Sequence, residues 1–394
     1  MPNSTTLLFF ALLFFSALCN AIIIPFMAFF LVEGLAEAPW KLSVYSGLSV
    51  LFTVLLNRTF GKYIASGAAI LPIVIAASVG YLIANVTLFF HPTYLIALTV
   101  GVMGFGLSSS AISTVFSLGA SIAKHNDVPL TRLNAYMRAT TSVAWMIGPA
   151  LSYLVAYWFD VNFVFLLGTL LALVWLTVLG LSAIRLDIKR DKKVSDEQGK
   201  GTNSKHYLWL TMSFIFTLSF AHSLTFSSLP VFFVQEVNLP YFAPGLAFSI
   251  KTCIEVIAIF STPFLIVRYG IEKALVGTAV LAVIAISMLS SVTSFYQMLI
   301  GAALEGAYYG LYASLGISFV HQRIKGHSAQ INAMYWNTLI VSGLLAGPLV
   351  GLIAEYHNFR TVLHVAIAVA VCALVNILYL SCNTQCDNKS RSTQ

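Results

Sequence analysis

Four charged residues stand inside long apolar stretches of the chain: Arg138, Lys251, Glu255 and Glu305. A charge at a bilayer centre costs roughly 2.5–3.5 kcal/mol on insertion scales, so such residues face a bundle interior or a watery cavity and mark a transport or proton path. Lys251 and Glu255 are four residues apart in SIKTCIEVIAIF, a spacing that puts both on one helix face. Pairing lowers the cost of burying either charge, which makes Lys251 a charge-compensating residue. A carboxylate held between desolvation and a nearby cation can change its protonation state, so Glu255 is a candidate proton carrier. In GAALEGAYYGLYASLG, Glu305, Tyr308, Tyr309 and Tyr312 recur at i, i+3, i+4 and i+7. They form one face of carboxylate and phenol oxygens, a wall for a polyol or, equally, for a lipophilic cation. Glu305 is a second candidate for proton coupling, and His222, able to titrate near neutrality, a third. Tyr309 and Tyr312 are candidate substrate contacts.

A fifth apolar stretch, LNAYMRATTSVAWMIGPALSY, aligns Asn134, Arg138, Thr141 or Ser142, Trp145 and Pro149 along one helix face. A guanidinium offers five donors to hydroxyl oxygens, and an indole packs on the C–H face of a sugar ring. The bland reading has Arg138 snorkelling to the cytoplasmic edge and Trp145 packing. It has counterparts elsewhere: His222 as a hydrogen-bonded packing residue, and the tyrosines as packing beside Gly306 and Gly310. Asn20, Asn332 and Trp336 complete the candidate substrate contacts. Ser110, Ser113, Ser117 and Ser121 form a stripe that reads as close helix packing.

The elements that must position these groups are membrane helices. The chain has 394 residues, 59% hydrophobic and only 9% charged, against about 25% charged in soluble domains. Twelve segments are long enough to cross a bilayer. The apolar start is too long for a signal peptide and lacks its basic leader and cleavage site, so it reads as a retained span. With both termini on one side, that side holds seventeen of the twenty-one Lys and Arg residues, Lys41 and Arg360 lie opposite, and Arg138 and Lys251 fall within spans. Positive residues stay inside, so both termini are expected in the cytoplasm. The net charge of +7 reflects this asymmetry and needs no nucleic-acid partner. The five cysteines suggest neither disulfide nor metal site, and no cofactor is expected.

One hydrophilic stretch with the composition of a mobile linker, 185–206, divides the spans six and six. The expected organisation is a half over 1–184, the linker, a half over 207–382 and a cytoplasmic tail over 383–394. The halves echo each other about 200 residues apart: Asn134-Ala135 with Asn332-Ala333, Gly148-Pro149 with Gly347-Pro348, GVMGFG with GAALEG, Pro25 with Pro230. Spans 3, 6, 9 and 12 carry no interior charge, as expected of peripheral, lipid-facing helices. The fold class is therefore an all-α integral membrane protein of twelve transmembrane helices in two pseudo-symmetric halves, the major facilitator architecture, whose substrate site lies at the midplane.

The string Arg138, Ser142, Ala144, Trp145, Gly148, Pro149 resembles the fifth span of the bacterial sugar efflux transporters, a branch of the major facilitator superfamily. Pro25 followed by FMAFFL, LPVFF at 229–233, and the tract from Gly310 through Gly316 to LVGLIAE fit the same family, and the likeness covers most of the chain. Glu255 matches an acidic residue of the family's eighth span, while Glu305 stands where the family carries a neutral amide. The resemblance implies export of sugars or sugar analogues by exchange with protons, from a monomer in the bacterial inner membrane. Major facilitators also carry G-x-x-x-D-R-x-G-R-R/K between spans 2 and 3. Here Gly61, Lys62 and Gly67 remain, but Ile64 replaces the aspartate and the trailing bases are gone. Arg268, Gly270 and Glu272 form a second copy, expected to lock the inner gate with Arg132, Arg323 and Lys325. A multidrug exporter of the same superfamily is the alternative. A membrane enzyme or sensor has little support: HExxH, nucleotide loops, a Walker motif and a soluble output domain are all missing.

Overall fold

Inside a bilayer each backbone N–H and C=O must be satisfied within the chain, which long helices achieve. The structure is a computed structural model that describes residues 4–66, 69–125, 130–185, 205–324 and 328–392. Among these residues stand twelve long helices: α1 Ser4–Ile23, α2 Pro39–Ala65, α3 Leu71–Phe90, α4 Val102–His125, α5 Leu130–Trp158, α6 Phe163–Arg185, α7 Lys205–Val231, α8 Ala243–Tyr269, α9 Ile271–Ser290, α10 Phe295–Arg323, α11 Ser328–Tyr356 and α12 Phe359–Ser392. Proline at the first turn starts α2 and α3, where a missing N–H costs nothing. Gly270, at φ +78°, turns the chain from α8 into α9. The helix α12 runs on through most of the segment expected to be a tail. Most of the expected linker, 186–204, lies outside the described residues.

Eleven helices are long and apolar enough to cross a membrane among the described residues. The twelfth long helix, α10, has 29 residues but does not qualify on composition. Gln297, Glu305, His321, Arg323 and its tyrosines dilute the apolar run. The span that hydropathy alone undervalues is thus the one carrying the acidic, phenolic stripe.

The chain forms two compact units. One holds Met1–Ser195 with Pro240–Ser249, the other Asp196–Leu239 with Ile250–Gln394. Each unit repeats one packing scheme. In the first, α1 packs on α5 and α6, and α3 on α4 and α6; in the second, α7 packs on α11 and α12, and α9 on α10 and α12. The first unit is sealed by an aromatic cluster of Phe26, Phe29, Phe30, Tyr153 and Phe165, with the Tyr153 hydroxyl donating to the Pro25 carbonyl at 3.0 Å.

A further repeat is confined to the backbone. After Pro25, α1 is prolonged by Phe26–Phe29 and a π-helical turn, Phe30–Gly34; after Pro230, α7 runs into another, Phe232–Glu236. The residues Ala36 and Asn238 follow them with φ of 50° and 59°, uncommon for non-glycine residues. Each turn is closed by the same pair of backbone bonds, Leu35 to Phe30 and Glu37 to Leu31, then Val237 to Phe232 and Leu239 to Phe233. Acidic side chains exploit both turns. Glu236 accepts from the Phe359 and Arg360 N–H groups at 2.6 and 3.2 Å, capping α12. Glu33 accepts from the Tyr241 hydroxyl at 2.8 Å. Burial, reinforced by the Glu33 carboxylate, holds the Tyr241 phenol above its ordinary value.

Candidate functional site

The second unit concentrates charge where α7, α8 and α10 meet. Gly306 and Gly310 on α10 are four residues apart, and a Cβ at either would collide with the carbonyl of Lys251 or of Glu255 on α8. Small residues at this spacing let two helix backbones touch. The close approach fixes the side chains around it. Lys251 Nζ lies 3.7 Å from Glu305 Oε1 and 3.4 Å from His222 Nε2. It also sits over the rings of Phe226 and Tyr309, at 5.0 and 4.8 Å. The Nδ1 of His222 is 3.1 Å from the Tyr308 hydroxyl and 3.6 Å from Glu305 Oε1. The imidazole stacks on Tyr309 at 3.7 Å and 19°.

Lys251 and Glu305 are 5% and 1% exposed, so their ion pair is removed from solvent. Such a pair survives where attraction in a low-dielectric interior offsets the desolvation of both charges. Glu305 Oε1 nevertheless makes no hydrogen bond among the described residues. It is a buried carboxylate oxygen facing two nitrogens at ion-pair distance, without a donor in bonding range.

This arrangement revises the sequence reading. The ion pair of Lys251 reaches across to Glu305 on α10 instead of along α8 to Glu255. Glu255 is half-buried and holds no ion pair among the described residues. The tyrosines of the stripe separate by their hydroxyls. Tyr312 donates to the Ile215 carbonyl at 2.7 Å and is 1% exposed, so its oxygen is occupied in joining α10 to α7. Tyr308 is engaged with His222. Tyr309 is half-buried, and among the described residues its hydroxyl has no hydrogen-bond partner. Phe226 belongs to the cluster too, although its position in an evenly apolar helix gives no sign of it.

In the first unit the candidates lie differently. Arg138 is exposed and has no ion pair among the described residues, while Trp145 and Ser142 are half-buried. Arg138 is therefore not a buried charge, in contrast to the sequence reading. Its carbonyl accepts from Thr141 at 2.8 Å. The Gly148-Pro149 pair turns inward, with Gly148 against the backbone of Ala21 and Ile22 on α1. Asn20, 2% exposed, donates to the Ser16 carbonyl at 2.9 Å and to the Ser108 hydroxyl at 3.0 Å, and accepts from Ser109 at 3.1 Å. Its amide is consumed in tying α1 to α4. Ser108 and Ser109 escaped the sequence reading; the available signal was the offset of about 200 residues that pairs them with Tyr308 and Tyr309.

Among the remaining candidates, Trp336 is 51% exposed on α11. The side chains of Asn134 and Asn332, and Gly67 altogether, lie outside what is described, as do the side chain of Arg132 and the whole of Lys325. Gly61 and Lys62 are exposed near the end of α2. In the second copy of the loop motif, Arg268 stacks over Phe264 and Tyr269, and Glu272 at the start of α9 pairs with Arg323 at the end of α10.

Comparison with known proteins agrees with this architecture. The family described as Major Facilitator Superfamily matches residues 8–290. Sugar efflux transporter A of Escherichia coli (strain K12) is 24% identical over 296 residues, 74% of this chain and 75% of that protein. Sugar efflux transporter B of Salmonella typhimurium is 22% identical over 378 residues, 94% of each. Among solved structures, the nucleoside transporter NupG superposes with a TM-score of 0.74 at 13% identity, covering 96% of this chain and 99% of NupG. A bacterial homologue of the iron transporter ferroportin, in an inward-facing state, gives 0.72 at 18% identity, covering 95% and 97%. At these identities the structural likeness speaks for the fold.

Proposed function

The chain belongs to the Major Facilitator Superfamily, and from that premise we propose that it is a secondary transporter exporting sugars or sugar analogues by alternating access with proton antiport. The observation that carries the reading is the buried Lys251–Glu305–His222 cluster packed against the ring of Tyr309. It joins groups able to exchange a proton to a group able to meet a polyol. The sugar comes from the relatives named above, two of which align over 75% or more of their own length. Arg138 and Trp145, with exposed or half-exposed side chains, would supply donors and a ring face. Glu272 and Arg323, with Arg268, would serve the inner gate. Both termini are assigned to the cytoplasmic face of a bacterial inner membrane on the distribution of Lys and Arg, and the working form is a monomer.

The test is movement of a radiolabelled sugar panel in everted vesicles under an imposed pH gradient. Gradient-driven sugar accumulation is expected. Sugar movement indifferent to the gradient would remove proton antiport. A second reading has an observation of its own. Lys251 shows that the Phe226–Tyr309–Glu305 environment accommodates a cation, as an exporter of lipophilic cations requires. Preference for such cations over every sugar in the same vesicles would favour it.

A further inference from the structure

We infer that Lys251 and His222 take turns at a single cation position opposite Glu305, and that Glu255 receives Lys251 when His222 holds that position. The inference rests on the reading of proton coupling given above and assigns it a moving part. An ammonium has donors only, so His222 Nε2, 3.4 Å from Lys251 Nζ, must accept. The ring hydrogen of a neutral imidazole then sits on Nδ1, facing the Tyr308 hydroxyl at 3.1 Å and Glu305 Oε1 at 3.6 Å. A second proton would go to Nε2 and point at the ammonium. His222 can therefore become imidazolium only after Lys251 has moved.

The surroundings define where it goes. Glu255 is one helical turn away on α8, half-buried and without an ion pair among the described residues. Gly306 and Gly310 hold the backbone of both residues against α10, so the lysine side chain swings while the helix stays. The titratable groups in contact with His222 are Lys251 on α8 and Glu305, Tyr308 and Tyr309 on α10; Glu255 on α8 and Tyr335 on α11, buried with its hydroxyl 3.5 Å from the Ala313 carbonyl, lie beyond them in the field of Tyr309. In the proton-loaded form, Nε2 has taken a proton from hydronium, the imidazolium faces Glu305, and Lys251 remains charged beside Glu255. Losing that proton to water returns the lysine. Loading forms one N–H bond as one O–H bond of hydronium breaks and leaves water, unloading reverses this, and the cluster carries one more positive charge when loaded.

The experiment is magic-angle nuclear magnetic resonance of the full chain in liposomes with ring-15N histidine, the His222 signal being identified by its loss in His222→Gln. Near neutral pH the unaltered protein is expected to show a neutral ring protonated at Nδ1. Lys251→Met is expected to convert that signal to imidazolium at the same pH, and Lys251→Met/Glu305→Gln to return it to neutral. A ring protonated at Nε2 in the unaltered protein, or a neutral ring in Lys251→Met, would overturn the inference. Should Lys251→Met fail to fold, Glu255→Gln decides. Acidification is expected to produce imidazolium in the unaltered protein and not in this variant; its appearance in both would remove Glu255 as the receiving group. Because the signal is read without sugar or gradient, a vesicle assay that fails to show proton coupling is told apart from a failure here.

Discussion

Asn20 and His222 occupy corresponding places on α1 and α7, about 200 residues apart, and each reaches across to a corresponding stretch, 108–109 on α4 or 308–309 on α10. In the first unit the contact is amide to hydroxyl, with both ends of Asn20 satisfied. In the second it is imidazole to phenol, with Lys251 and Glu305 drawn in. At the place of Glu305 the first unit has Phe105, which packs on Tyr81. Where Gly306 meets Lys251, Gly106 meets Phe52. One scaffold, used twice, thus carries a closed neutral network and an open charged one. Every partner of Asn20 would be lost by moving it, so that network favours one arrangement. The charged cluster leaves a carboxylate oxygen without a hydrogen bond among the described residues, and Lys251 has a second carboxylate within a turn, the two features from which a second arrangement is inferred above.

That contrast can be broken by mutation. The largest effect is expected for Glu255→Gln/Glu305→Ala, which removes both carboxylates within reach of Lys251 and strands its ammonium; about 3–5 kcal/mol of stability should be lost, measured by thermal unfolding in detergent. Lys251→Met/Glu305→Gln should recover most of it, and failure to recover would mean that the pair does not act as a unit. Next comes Gly306→Val, which forces α8 and α10 apart and should cost about 1–3 kcal/mol. Its marker is a loss of pH response greater than the loss of folded protein. Asn20→Ala leaves Ser108 and Ser109 without their amide and should cost about 1–2 kcal/mol, with the pH dependence of transport retained. A change in that dependence would erase the distinction between the two networks.

The smallest effect belongs to the Glu33 bond. Tyr241→Phe should cost about 0.5–1 kcal/mol, in the range of a partly exposed hydrogen bond. Its pH signature has a definite sign. The folded state holds the phenol above its ordinary value, so the contribution is fully present below about pH 10 and is lost as pH rises through the raised folded value. Unfolding curves of Tyr241→Phe and the unaltered protein should therefore converge in alkali.

The membrane class, the helical spans and the duplication were legible because each rests on patterns within one helix or on order along the chain. The stripe of α10 was legible for the same reason, since helical spacing sets which residues share a face. The partners across helices were not. Spacing offered Lys251 the carboxylate four residues away, and packing gave it Glu305, because Gly306 brings α10 to the lysine backbone. Nor does spacing tell a tyrosine whose hydroxyl is consumed by a carbonyl, such as Tyr312, from one whose hydroxyl has no partner among the described residues, such as Tyr309. Arg138 illustrates the converse. Its sequence neighbours are apolar, but its own side chain is exposed.

The π-helical turns give both halves the same change of direction. A π turn adds a residue to an α-helix and is rare. Phe30–Gly34 and Phe232–Glu236 share their length, their closing bonds and the left-handed residue after them. At 3.6 residues per turn, one added residue rotates the chain that follows by about 100°. A third π turn among the described residues, Ala97–Gly101, leads into α4, while the matching stretch of α10 is α-helical, so that corner is not repeated. The turns before Ala36 and Asn238 are thus one corner shared by the neutral and the charged half.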